Sequence, residues 1–169
     1  MSAYILEVCP RCGRVEGETD MSISHRFNVV LLIFVLAACS QPAAAPTVGQ
    51  VKDFATACDK ANNGQRIAVT GYLRFPDSFT GSDSVVLRLY ESSDYSGQPI
   101  GVQINFGNKP NQVATVSDNY TDKDLTVYLA SGQAASYGTP VRVSGKVYYP
   151  LAAQDFPCAL ENPLVEAAP

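Results

Sequence analysis

Residues 66–75 read RIAVTGYLRF and residues 140–148 read PVRVSGKVY. In the first stretch Ile67, Val69, Leu73 and Phe75 alternate with Ala68, Thr70, Tyr72 and Arg74. In the second, Val141, Val143 and Val147 stand opposite Arg142, Ser144, Lys146 and Tyr148. A period of two marks a strand with one buried and one wetted face. Both stretches also carry an interior glycine after a Val-Thr or Val-Ser pair, Gly71 and Gly145. Glycine weakens a strand unless the chain must bend sharply there or another backbone comes close. Its recurrence in the first and last predicted strands predicts a tightly coiled sheet.

Between them, three more segments alternate in the same way: residues 84–91 (Val85, Leu87, Leu89 inward; Val86, Arg88, Tyr90 outward), 100–106 (Val102, Ile104, Phe106 against Gln103, Asn105) and 125–130 (Leu125, Val127, Leu129 against Thr126, Tyr128). The connections 76–83, 92–99 and 107–124 are rich in Gly, Pro, Asn, Asp and Ser, the residues that turns require. Ahead of the strands, Val51, Phe54, Ala57, Cys58 and Ala61 recur at helical spacing, with Asn62-Asn63-Gly64 as a stop. The expected domain is therefore mainly β, spans 51–169 and opens with a short helix. Its five one-sided strands either close into a small barrel or stack as two sheets.

With five strands, two Val-Thr/Ser-Gly strands and a long third connection, residues 66–149 resemble the OB-fold, and more loosely the bacterial extracytoplasmic and tRNA-anticodon-like OB domains. The resemblance implies a closed five-stranded barrel. It also implies a helix in the third connection, where GNKPNQVATVSDNYTDKD has little helical character. An immunoglobulin-like sandwich is the alternative, although that architecture normally wants seven strands.

Upstream, residues 21–38 read MSISHRFNVVLLIFVLAA. His25 and Arg26 form a short polar head, and residues 27–38 an apolar run shorter than the ~20 residues that span a bilayer. The run ends in Leu36-Ala37-Ala38-Cys39, which resembles the lipobox of bacterial lipoproteins. That resemblance implies cleavage of a signal peptide before Cys39 and acylation of its thiol with diacylglycerol carrying chains such as palmitate. The mature chain is then expected in the cell envelope, outside the cytoplasm. Ser40 after the cysteine resembles an outer-membrane address, and in a single-membrane cell the site is the outer face of the plasma membrane. Residues 39–50 read as a flexible tether of Pro, Ala and small polar residues. In residues 1–20, Cys9-Pro10-Arg11-Cys12-Gly13 resembles one zinc knuckle without a second ligand pair. Met21 suggests instead that the segment reflects a mis-assigned start.

The remaining cysteines, Cys58 and Cys158, are expected to pair, since an exported domain meets an oxidising compartment. Two separately buried thiols are the alternative. The lone histidine, His25, precedes Cys39, so the mature domain has no Ser-His-Asp, Cys-His or His-metal constellation. Its acids sit mostly in turns, at Asp77, Asp83, Asp94, Asp118, Asp122 and Asp124. No clustered Asp, Glu and Arg motif resembles the staphylococcal-type OB nuclease. Residues 118–124 lack the glycine and terminal glutamate of an EF-hand loop. No catalytic residue, cofactor or metal is expected.

The outward set comprises Tyr72, Arg74, Arg88, Tyr90, Gln103, Asn105, Tyr128, Arg142, Lys146 and Tyr148. Cations with aromatic rings suit single-stranded nucleic acid, while aromatics with amides suit sugar rings; the same residue types also serve a plain solvated strand face. The expectation is a tethered, non-catalytic binding module for an oligosaccharide, an envelope protein or, last because the net charge is -4, nucleic acid. A structural envelope lipoprotein acting through protein contacts is one alternative. A hydrolase with unrecognised carboxylates is another.

Overall fold

The computed structural model describes residues 46–150 and 156–169. Cys39 with its lipobox, the signal run, Cys9 and Cys12, and residues 39–45 of the expected tether lie outside the described residues. The chain runs β1 (Gln50–Val51), α1 (Phe54–Ala57), a 3-10 turn (Lys60–Asn62), β2 (Arg66–Arg74), β3 (Ser84–Tyr90), β4 (Ile100–Asn105) and β5 (Gln112–Val113). A second 3-10 turn (Asp122–Asp124) leads to β6 (Thr126–Tyr128), β7 (Ala134–Ser136), β8 (Pro140–Tyr148) and β9 (Ala159–Ala167).

Strands β2, β3, β4, β9 and β8 follow one another around a closed ring, completed by seven antiparallel residue pairs between β2 and β8. All neighbours are antiparallel except β4 and β9, which run parallel through Gly101↔Ala159 and Val102↔Leu160. The fold is a closed five-stranded, OB-like barrel. The inward alternation holds throughout: Ile67, Val69, Leu73, Phe75, Val85, Leu87, Leu89, Val102, Ile104, Val141, Val143 and Val147 all lie in one buried core. Each such side chain contributes about 1.5–3 kcal/mol by leaving water.

Two strand assignments change. Residues 125–130 do not enter the barrel; β6 is the middle of a separate three-stranded sheet, β5-β6-β7, and Pro140–Tyr148 is therefore not the last barrel strand. The fifth barrel strand is β9, ALENPLVEA, whose alternation is broken by Asn162 and Pro163. The break is a bulge. Opposite the step from Ser144 to Lys146, β9 spends one residue more, from Leu164 back to Glu161. Asn162 takes a left-handed φ of 51° there, and Pro163 sits where a ladder donor is not needed.

The small sheet fills the whole β4–β8 connection, of which the expected third connection, where the OB resemblance implies a helix, is the first part. Its Val113, Leu125, Val127, Leu129 and Ala135 belong to the same buried core as the barrel, and hydrogen bonds fix it there: Asn111 Oδ1 accepts from Val165 N at 2.8 Å, and Ala130 N donates to Val165 O at 2.7 Å. The expected N-terminal helix is likewise cut to one turn. Val51 pairs with Ala68 as strand and is 70% exposed, and Asp59 is extended. Asn62 supplies the stop through its side chain, donating to the carbonyls of Thr56 (2.9 Å) and Ala57 (3.2 Å).

The interior glycines answer to space rather than to φ. A methyl on Gly71 would lie 2.3 Å from the Tyr90 carbonyl oxygen, and one on Gly145 would lie 2.7 Å from Leu160 Cβ. Cys58 and Cys158 form a disulfide with Cα atoms 5.5 Å apart.

The expected tether ends earlier than residue 50. Gln50 pairs with Ile67, and Gly49 lies so close to β2 that a methyl would meet the Ile67 backbone at 2.5 Å. Arg66 fastens this approach. Its guanidinium donates to the carbonyls of Thr47 (2.5 Å), Asn162 (2.9 Å) and Ser144 (3.1 Å), so the bulge in β9 has its freed carbonyl satisfied from β2. Burial lowers the Arg66 pKa.

Candidate functional site

Closure of the ring spreads nine of the ten outward residues around a wall instead of gathering them on one face. Tyr72 and Arg74 on β2 pair across to Tyr90 and Arg88 on β3. Gln103 and Asn105 lie on β4, and Arg142, Lys146 and Tyr148 on β8. Tyr128 is on β6 and so belongs to the small sheet, not to the barrel wall.

Two of the ten are buried, against the expectation of a wetted face. Arg88 is 9% and Tyr90 7% exposed. The connection after β2 brings Asp77 over Arg88, with Nη1 to Oδ2 at 3.0 Å. The connection after β3 brings Tyr95, whose ring meets Tyr90 edge-on at 5.7 Å and Tyr72 at 6.5 Å. Tyr95 itself holds a left-handed φ of 58° and stacks on Tyr137 at 5.0 Å. Its hydroxyl is buried outside hydrogen-bond geometry. Burial, and then the adjacent Tyr137 phenol, push its pKa up to about 12. Tyrosines outside the strands carried no alternation signal, so neither Tyr95 nor Tyr137 stood out in the sequence.

The charges also differ from the sequence pattern, which placed no acid among the alternating cations. Every one of the four cations has a carboxylate. Arg74 pairs with Asp122 at 2.7 Å, Arg88 with Asp77 at 3.0 Å, Arg142 with Glu166 at 3.0 Å and Lys146 with Glu161 at 3.3 Å. Two of these acids come from β9, the strand that alternation missed, and two from turns. The Asp122 turn is itself fixed by a capping box, in which the Thr121 amide and then its hydroxyl hold the Asp124 carboxyl below its ordinary value. Surface pairs of this kind add little stability. Their electrostatic consequence is a wall without a cationic track.

The exposed amides of the wall, Gln103 and Asn105, lie on β4 beside a buried floor at Gly101. On the outer side of β4 and β9, Gly101 and Ala159 are small, and Phe156 packs over them; a methyl on Gly101 would meet the Phe156 ring at 2.7 Å. The low floor at Ala159 lets Tyr148 reach across from β8, its hydroxyl 3.5 Å from Gln103 Oε1 on β4. Burial, and then the Glu161 charge, raise the Tyr148 pKa. Gln103 and Asn105 are exposed and Tyr148 half-buried, with the Lys146–Glu161 pair alongside. The assembly offers a ring, amides and a hydroxyl, which can stack on and hydrogen-bond to a neutral polar ligand. Phe156, adjacent to the Pro157-Cys158 turn, is the member that sequence reasoning overlooked, because it stands outside any alternating run.

Among the described residues no group of three or more His, Cys, Asp or Glu side chains is placed to hold a metal ion, and no helix is long and apolar enough to cross a membrane. In comparisons with known proteins, no family model, no curated protein and no solved structure matches the chain.

Proposed function

We propose that this protein is a lipid-anchored, non-catalytic binding module of the cell envelope whose ligand is a neutral, hydroxyl-rich oligosaccharide. The observation that carries the ligand class is the pairing of all four wall cations with carboxylates, while the half-buried Tyr148 and the exposed amides Gln103 and Asn105 carry no charge. Nucleic acid ranks below sugar, because binding to phosphates draws on cations free to release counterions. The test is calorimetric titration of the protein with a panel of neutral oligosaccharides at low and high salt. Binding that persists at high salt is expected, and Tyr148→Ala combined with Gln103→Ala should weaken it about tenfold, since the two changes remove hydrogen bonds worth about 0.5–1.5 kcal/mol each together with the ring contact. Retention of single-stranded DNA with steep salt dependence, and no sugar binding, would sink this reading.

The anchor rests on Leu36-Ala37-Ala38-Cys39 following an apolar run, and the Cys58–Cys158 disulfide supports passage into an oxidising compartment. Expressed in bacteria, the protein should partition into detergent, and Cys39→Ser should accumulate as an unprocessed precursor. A wild-type protein that is soluble and begins at another residue would refute lipidation. A second reading, a structural envelope protein, draws on the β7 edge: Ala134 and Ser136 are exposed, and β7 pairs only with β6 among the described strands.

A further inference from the structure

Beyond Cys39 the sequence contains no methionine, tryptophan or histidine, and its two cysteines are joined as a disulfide. The side chains usually oxidised first are therefore missing. Tyrosine is the most readily oxidised side chain left, and the structure groups four of the eight beyond Cys39: Tyr72, Tyr90, Tyr95 and Tyr137. Within the group one pair differs from the rest. Tyr72 and Tyr90 meet Tyr95 at 77° and 85°, whereas Tyr137 lies almost parallel to it, at 9° and 5.0 Å between centroids.

The Tyr95 ring is also held in place. The left-handed residue follows Asp94, whose carboxylate accepts from the Ser92 hydroxyl and, at 3.0 Å, from the Ser96 amide. The turn therefore presents the phenol to Tyr137 in a fixed direction. Tyr95 and Tyr137 are both half-buried, with the Tyr95 hydroxyl closed to solvent, so the pair is oxidised by electron transfer rather than by direct contact at that oxygen.

We propose that Tyr95 and Tyr137 are an oxidative cross-linking site, at which hydrogen peroxide acting through a haem peroxidase couples the two rings into an intrachain dityrosine. Each phenol gives up one electron and one proton. The two radicals combine through a carbon–carbon bond between their ortho positions, and each ring regains aromaticity as its ortho hydrogen moves to the phenolic oxygen. The two electrons and two protons reduce one peroxide to two waters. The bond joins the β3–β4 connection to the turn between β7 and β8, giving the domain a second covalent tie that reducing agents cannot open.

The test treats the full chain, its thiols outside the disulfide alkylated first, at low protein concentration, with horseradish peroxidase and limiting peroxide. Dityrosine fluorescence in monomeric protein is expected, with a peptide map showing Tyr95 joined to Tyr137 and two hydrogens lost. Tyr95→Phe and Tyr137→Phe should each abolish that linked peptide while keeping the ring stack and the melting temperature, and Tyr148→Phe should leave it intact. Unfolding in denaturant before oxidation should scatter the cross-links among other tyrosines. Cross-links only between chains, or an undiminished intrachain yield in Tyr137→Phe, would overturn the proposal.

Discussion

Replacing Cys58 and Cys158 together by alanine is expected to lower unfolding stability by several kcal/mol, since it removes both a covalent tie and a fully buried core side chain, Cys158. The bond closes a loop of 100 residues. In the chain-entropy treatment a loop of that length is worth up to about 4.7 kcal/mol, and removing a native disulfide from a small exported domain typically costs 2–5 kcal/mol. Against a total of roughly 5–15 kcal/mol, this decides whether the domain stays folded at growth temperature. Local structure compounds the effect. Helix α1 is a single turn, far below the length at which a helix persists alone. It is held by the disulfide, by Asn62, and by the Tyr149 hydroxyl, which donates to Cys58 O at 2.7 Å. Equilibrium denaturation of the double variant should show a midpoint shifted far downward. A change below about 0.5 kcal/mol would mean the bond ties together parts that packing already holds.

The second large effect is expected from Gly71→Ala. In an ordinary strand this exchange helps, because glycine is worse than alanine by roughly 0.5–1 kcal/mol. Here the new methyl would stand 2.3 Å from the Tyr90 carbonyl oxygen and 3.1 Å from Leu89 Cδ1. A backbone atom cannot swing aside as a side-chain tip can, so β2 must move away from β3 where Tyr72 and Tyr90 pair. Overpacking of this kind costs about 1–3 kcal/mol or more. Gly145→Ala meets Leu160 Cβ at 2.7 Å, next to the bulge, and should cost less because the irregular strand can yield. A neutral or stabilised Gly71→Ala protein, by urea denaturation midpoint, would contradict the close approach.

The two glycines were readable in advance because their cost in a strand demands a reason. The inward residues were readable because burial on one side imposes a period of two. β9 was not, and the cause is local: Asn162 and Pro163 break the period at a bulge whose purpose appears only when β8 and Arg66 lie beside it. The same omission hid Glu161 and Glu166, and with them the neutralisation of Lys146 and Arg142. Tyr128 was misplaced because a strand in the small sheet alternates like a strand in the barrel. Arg88 and Tyr90 were expected in water because alternation reports which side of a sheet a residue faces, and is silent about loops that fold back over that side.

Arg66 bears on how the domain carries a load. Pull applied through the chain preceding residue 46 enters at Thr47, whose carbonyl is bound by Arg66, and passes to Gln50 and Val51. These residues run parallel to Ile67 and Ala68, so tension along β1 slides the two strands past each other and strains their hydrogen bonds together rather than one at a time. The guanidinium shares that strain with the backbones of Ser144 and Asn162 on two further strands. Force arriving at one corner is thereby distributed over three walls of the barrel, and Arg66→Ala would leave the same corner free to peel.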